Sequence, residues 1–293
     1  MQIGFVGTGP MGEPMATRLL EAGHALSVFN RTASRADALV EAGAHRAASA
    51  AEASRGAEIV FTMLASDDVV EQLVLGPEGV AATLAADAVH VSCSTISPAL
   101  STRLDGAHRE RGQLYVAATV LGRPPAARAG ELFVVQAGGS TARARVAGPI
   151  AQLSQRVFDV GDDPAQANLV KLSVNFLILS TVEQMSEMFA LNEKGGIPLA
   201  TLFDILTGSF FNAPVHRNYG RMIIEQRFDP PGVAVPLAVK DTRLLLAAAE
   251  ALHVPVPIAS LLRDRLLVMM AKGEAGLDFV AISKRARDDA GLT

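Results

Sequence analysis

Three glycines at the N-terminus have the type and spacing to hold a phosphate. The stretch Gln2-Ile3-Gly4-Phe5-Val6-Gly7-Thr8-Gly9-Pro10-Met11-Gly12 is a short apolar strand running straight into G-x-G-x-x-G. Gly7 permits the tight turn out of the strand, and Gly9 leaves room for a pyrophosphate to touch backbone. Gly12 lets the next helix pack on the sheet, while that helix's N-terminal N–H groups and dipole hold the phosphate charge. The helix, Met11 to Ala22, ends at Gly23, and a second strand follows from Ala25 to Asn30. Strand, glycine turn, helix and strand in that order predict dinucleotide binding.

The end of the second strand discriminates between dinucleotides. NAD-binding units place Asp or Glu about 20 residues past the fingerprint, on the ribose 2′-hydroxyl. Here the chain reads Asn30-Arg31-Thr32-Ala33-Ser34-Arg35, with no carboxylate until Asp37. An arginine fork flanked by hydroxyls would bind a 2′-phosphate, whereas a carboxylate would repel it. The competing reading is a solvated basic turn. NADP(H) rather than NAD(H) is expected.

Much further along, Lys171 and Asn175 stand four residues apart, so on a helix they share one face. Their helical neighbours are mostly apolar, and lysine is rarely buried without a partner. A partly desolvated ammonium has a lowered pKa and can give a proton to a carbonyl oxygen as hydride arrives at carbon. Asn175 would orient Lys171 or hold the substrate oxygen. Alone, K-x-x-x-N is little above chance, and a lysine snorkelling from a helix is the favoured reading of it.

The elements needed to position these groups are legible. Glu58 to Leu64, Ala88 to Ser92, Leu114 to Val120 and Leu132 to Gln136 read as further strands, with helices between them. Asp67 and Asp68 start one helix, and Ser97-Pro98 caps another. Alternating strands and helices predict a doubly wound parallel sheet with ligands at its carboxyl edge. From Ala165 to Lys194 there is no Pro or Gly, and Leu169, Leu172, Phe176, Leu179, Val182, Met185 and Phe189 recur at helical spacing. The expected architecture is α/β: a Rossmann domain over 1–162, then a long interdomain helix leading an all-helical substrate and dimerisation domain over 163–293.

Composition narrows the function classes. With 293 residues, 49% hydrophobic, the chain can bury a large core, and a net charge of −4 does not suggest a nucleic-acid or membrane-surface binder. The apolar run Phe176 to Leu179 is read as too short for a membrane span. A single cysteine, Cys93, leaves no cysteine-cluster metal site, and it reads as core rather than nucleophile. No charged segment precedes the first strand, so cytoplasmic residence is the expectation.

The motifs together resemble the β-hydroxyacid dehydrogenase family, which includes 3-hydroxyisobutyrate dehydrogenase and tartronate semialdehyde reductase. Gly7 to Ala16, Asn30-Arg31-Thr32, Thr62-Met63-Leu64, Ser94-Thr95-Ile96-Ser97-Pro98, Lys171 to Asn175 and Lys240-Asp241 carry the resemblance over most of the chain. It implies NAD(P)-linked interconversion of a small carbonyl compound and its alcohol, with Lys171 as general acid/base and Asn175 beside it. It implies cofactor contacts at Gly7, Gly9, Pro10, Met11 and Gly12, at Asn30, Arg31 and Thr32, and at Met63 and Leu64. Thr95 would approach the nicotinamide ribose, and Lys240 the cofactor or the catalytic cleft. An adjacent surface charge pair is the competing reading of Lys240 and Asp241. Members usually pair their helical domains, so a homodimer or larger homo-oligomer is implied, and Leu244 to Leu246 and Leu261 to Met270 offer apolar surface for it. Deep core explains those leucines equally well.

One motif departs from the family. Its substrate loop commonly reads Asp-Ala-Pro-Val-Ser-Gly-Gly, whereas this chain has Ala117-Ala118-Thr119-Val120-Leu121-Gly122-Arg123. Thr119, Leu121, Gly122 and Arg123 are the expected substrate-binding positions. Leu121 in place of serine removes a donor for a carboxylate, and an anion without donors is costly to desolvate. Arg123 would compensate from two residues further on, which favours a bulkier substrate, with Phe210 and Phe211 either as an apolar wall or as core. Two alternatives share the fold: an imine reductase, which retained Lys171 argues against, and a nucleotide-binding regulator without turnover.

Overall fold

The computed structural model describes residues 1–292. Its eight strands are β1 (Gln2–Val6), β2 (Ala25–Phe29), β3 (His45–Arg46), β4 (Ile59–Thr62), β5 (Val89–Ser92), β6 (Leu114–Leu121), β7 (Leu132–Gly138) and β8 (Ser154–Asp159). They form one sheet in the order β3-β2-β1-β4-β5-β6-β7-β8. The first six follow the dinucleotide-binding order, with its crevice where the order reverses between β1 and β4. Strand alternation feeds two cores. Ile3, Phe5, Ile59 and Phe61 pack with Met15 and Leu19 on one face, and Val6 and Val60 with Ala53, Val70 and Leu104 on the other.

The sheet is not wholly parallel, as the alternation had suggested: β6 and β7 run antiparallel. The link between them holds only the six-residue helix Pro124–Ala129. A parallel crossover needs about a dozen residues or more, so the chain turns back on itself. Neither edge strand was anticipated. β3 has two residues, and β8 is largely exposed with Arg156 stacked 4.5 Å over Phe158, too short and too polar respectively for a periodicity signal.

A helix of 31 residues, Pro164–Lys194, follows the sheet. The chain's two compact units part inside it, after Lys171. By length and composition this helix could cross a membrane, contrary to the reading of a run too short to span. Its apolar residues instead serve as core: Leu179, Val182, Met185 and Phe189 pack with Ile223, Leu262, Leu266 and Met269 in the second unit. That unit is completed by the helices Leu199–Gly208, Pro214–Ile224, Val235–Ala251, Pro257–Ala271 and Ser283–Asp289.

Candidate cofactor and catalytic site

The fingerprint has the shape its glycines require. Gly7 has φ +101°, and a Cβ there would lie 2.3 Å from the Met63 carbonyl oxygen at the end of β4. A Cβ on Gly12 would lie 1.8 Å from the Gly7 carbonyl oxygen, so helix and turn are in backbone contact. Around Gly9 a Cβ would meet nothing within 4 Å, which leaves the crevice open at that residue. The helix Gly12–Glu21 begins at Met11 with no side-chain cap. The Glu13 N–H donates to the Gly9 carbonyl at 2.9 Å and Pro14 has no N–H, so the Gly12 N–H and the helix dipole are what this turn would offer an anion. Its one first-turn acid, Glu13, is paired 2.9 Å from Arg128. These residues fit a dinucleotide pyrophosphate. Pro10 lies exposed and Met11 half-buried at this turn.

Asn30 acts as a brace at the end of β2. The Thr8 N–H donates to its Oδ1 at 3.1 Å, and its Nδ2 donates to the Thr32 carbonyl at 3.0 Å. Arg31 and Thr32 are exposed beyond it. On the other side of the crevice, Ser94 does work that motif reading had not assigned to it. Its Oγ accepts the Leu64 N–H at 2.8 Å and lies 3.4 Å from the Thr62 carbonyl, tying together the ends of β4 and β5. A serine two residues past the end of β5 was the available signal. Thr95, Met63 and Leu64 are half-buried around it. Cys93 is buried as expected of core, and burial pushes its thiol up to about 12.

Beneath this crevice lies a closed chain of polar groups. Gln113 donates to the carbonyls of Ala81 and Leu84 at 3.0 and 2.6 Å, which turns its Oε1 toward His108 Nδ1 at 2.7 Å. His108 Nε2 then accepts from His90 Nδ1 at 2.8 Å, and His90 Nε2 from the Thr62 hydroxyl at 3.0 Å. Both imidazoles are buried, and desolvation holds His90 well below the usual histidine range and His108 down to about 4.

The strand β6 delivers the candidate substrate residues to the start of the long helix. Val116, Ala118 and Val120 face one core, so Ala117, Thr119 and Leu121 face the other. Thr119 is fully buried, and its hydroxyl lies 3.3 Å from the carbonyls of both Val135 and Ala167. Leu121 is half-buried against the cluster of Ala117, Val135, Ala137 and Ala167. Gly122 has φ +147°, where a Cβ would meet Leu132 at 2.6 Å. Arg123 follows it at the N-cap of Pro124–Ala129.

Ala167 is one turn before Lys171, and Lys171 is half-buried. Thr119 therefore fixes the turn that carries the lysine. Asn168, also in that turn, is fully buried, with both amide atoms lacking a hydrogen-bond partner among the described residues. Spacings of three and seven put Asn168, Lys171 and Asn175 on one helical stripe. Sequence reading had picked out only the last two.

In the second unit Asn175 has a partner 66 residues away: its Nδ2 donates to Asp241 Oδ2 at 2.7 Å. Asp241 Oδ1 lies 3.0 Å from Lys240 Nζ, and these side chains are only 17% and 22% exposed. The adjacent charges do pair, but in a half-buried chain that reaches Asn175 rather than as an isolated surface contact. Phe210 is 97% exposed and Phe211 half exposed beside His216, so neither packs in the core. Among the described residues no group of three or more His, Cys, Asp or Glu could hold a metal ion.

Residues 2–161 match the family described as the NAD binding domain of 6-phosphogluconate dehydrogenase. Residues 165–286 match the NAD-binding domain of NADP-dependent 3-hydroxyisobutyrate dehydrogenase. An uncharacterised oxidoreductase of Bacillus subtilis is 40% identical over 97% of this chain and 99% of its own. The NAD-dependent L-serine dehydrogenase of Pseudomonas aeruginosa is 32% identical, covering 97% of each chain. Among solved structures, Mycobacterium tuberculosis 3-hydroxyisobutyrate dehydrogenase with L-serine superposes with a TM-score of 0.88 at 26% identity, over 98% of this chain and 99% of that one. With sequence likeness over nearly the whole length and the dinucleotide crevice in place, the chain belongs to the β-hydroxyacid dehydrogenase family, that of 3-hydroxyisobutyrate dehydrogenase, and is an NAD(P)-dependent oxidoreductase.

Proposed function

We propose that the protein is an NADP(H)-dependent reductase that interconverts a small aldehyde, semialdehyde or oxoacid and its hydroxy form, with Lys171 as the general acid in reduction and the base in oxidation. The observation that carries this reading is the hydroxyl of Thr119 on the carbonyl of Ala167, which anchors the turn bearing a half-buried Lys171. A lysine held in this way is positioned rather than free to snorkel. The cofactor, when bound, supplies or accepts the hydride. Gly7, Gly9 and the uncapped turn at Gly12 would hold its pyrophosphate, and Arg31 with Thr32 its ribose phosphate. Asn175, its nitrogen committed to Asp241, presents its carbonyl oxygen as an acceptor for a substrate hydroxyl or for the Lys171 ammonium.

A second copy of the chain is the inferred partner. The long helix exposes Leu177 and Leu191, and the helix Pro257–Ala271 exposes Leu261 and Val268 although its opposite stripe, Leu262, Leu266 and Met269, is buried. That is more apolar surface than one helix stripe needs.

The test is oxidation of NADPH and of NADH over a panel of aldehydes, semialdehydes, oxoacids and cyclic imines. Turnover of carbonyl compounds with NADPH supports the reading. Turnover confined to imines, or none with any member, overturns it, and sedimentation as a monomer at micromolar concentration removes the dimer.

A further inference from the structure

We propose that Arg46, outside the fingerprint, determines the cofactor preference by cancelling the charge of Asp37 and holding the turn after β2 open to a ribose 2′-phosphate. The proposal deepens the NADP(H) reading and rests on it. Arg46 is the last residue of β3, in register with Val28 of β2. Beyond Val28 the chain runs through Asn30, Arg31 and Thr32 into the 3-10 turn Ala33–Ala36. One guanidinium spans that turn. Its Nη1 donates to the carbonyl of Ala33, the first residue, and its Nη2 lies 2.7 Å from Oδ1 of Asp37, just past the last.

The support under Arg46 is rigid. Ala47 N–H donates to the Val28 carbonyl at 2.9 Å. Ser49 then caps the helix Ala50–Ser54 by accepting the Glu52 N–H at 3.1 Å, while Glu52 Oε2 accepts the Ala48 N–H at 2.7 Å. Glu52 Oε1 also lies 3.4 Å from His45.

Electrostatics give the arrangement its meaning. Asp37 is the only acid between residues 30 and 40, and Arg31 and Arg35 make no ion pair among the described residues. With Asp37 neutralised by Arg46, the turn presents two uncompensated guanidinium groups. With Asp37 left bare, a carboxylate stands beside the position of a phosphate dianion. Fold stability does not account for the pair, since its side chains are 37% and 55% exposed and such pairs contribute little.

The test needs no turnover. Dissociation constants for NADPH and NADH are measured by fluorescence titration, and for 2′,5′-ADP and 5′-AMP by calorimetry. The proteins are wild type, Arg46→Leu, Arg46→Leu with Asp37→Asn, and Arg31→Asp. Arg46→Leu should weaken NADPH and 2′,5′-ADP about tenfold relative to NADH and 5′-AMP, the scale of one charged hydrogen bond, with a small change in Tm. Removing the Asp37 charge in the same chain should restore part of that loss. Equal weakening of both cofactors by Arg46→Leu, or undiminished NADPH binding while Arg31→Asp loses it, overturns the role of Arg46 alone. Wild-type preference for NADH, unchanged in Arg31→Asp, overturns the cofactor reading and this proposal with it.

Discussion

Asn175 Nδ2 donates to Asp241 Oδ2 at 2.7 Å, joining the long helix to the helix Val235–Ala251 within the second unit. A carboxylate only accepts, so this bond sets which way the amide is turned and leaves the Asn175 carbonyl oxygen facing elsewhere. Asp241→Ala should release that orientation. The loss of a charge-assisted bond, about 1.5–3 kcal/mol, corresponds to a fall of roughly one to two orders of magnitude in kcat/KM. Asp241→Glu should recover part of it. An alanine variant with wild-type kcat/KM would show that the Asn175 amide needs no such support.

Lys171→Ala should lower kcat by roughly two to four orders of magnitude, the usual worth of a general acid, with NADPH affinity nearly intact. Lys171→Arg should not restore turnover, because guanidinium does not release a proton near neutral pH. Steady-state kinetics and cofactor titration separate the two effects. Retention of most turnover by the alanine variant removes Lys171 from the mechanism.

Arg31→Asp should cost NADPH about 3 kcal/mol of binding by replacing a charged hydrogen bond with repulsion, and NADH much less. Titration with each cofactor reads this directly. Equal loss with both would assign Arg31 to the architecture of the turn instead.

The buried histidines predict acid lability. Their folded pKa values are depressed, His108 to about 4 and His90 well below the usual histidine range, so as pH falls below about 6.5 the unfolded chain takes up protons that the native state refuses. Each then removes up to about 1.4 kcal/mol per pH unit. Glu183 opposes them. Burial raises its carboxyl to about 6, so native Glu183 protonates first and stabilises the fold as pH falls from about 6 toward 4.5. Two histidines outweigh one carboxyl, so the urea midpoint should fall between pH 6.5 and 5. A midpoint that is flat or rises over that interval would contradict the buried neutral pair.

Substrate size is tested at Leu121. The family's serine would place a hydroxyl here, whereas Leu121 rests half-buried on Ala117, Val135 and Ala167. Wild type should favour bulkier carbonyl compounds over glyoxylate and three- or four-carbon semialdehydes, and Leu121→Ser should narrow that preference. The measurement is kcat/KM with NADPH across the size series. Highest wild-type efficiency on glyoxylate or tartronate semialdehyde would show that the loop change does not select the substrate.

Features written in short spacings were legible from the residues alone. The glycines at 7, 9 and 12, the Ser97 cap whose Oγ accepts the Leu100 N–H at 3.0 Å, and the periodic leucines of the long helix all act within one or two turns of chain. Local sterics and apolar period decide such elements before any tertiary contact forms. Lys171 and Asn175 were recognised for the same reason, since four residues make one turn.

Tertiary structure decided whatever depends on residues distant in the chain. No local pattern states that Asp241 will turn the Asn175 amide, that Arg46 at the end of β3 will pair with Asp37 at the end of the turn after β2, or that Gln113 will set the tautomers of His108 and His90. The reversal of β7 against β6 was likewise settled by a link too short to cross over. A side chain's partner is the group that folding brings within about 3 Å of it, and sequence spacing specifies that group only when both lie on the same element.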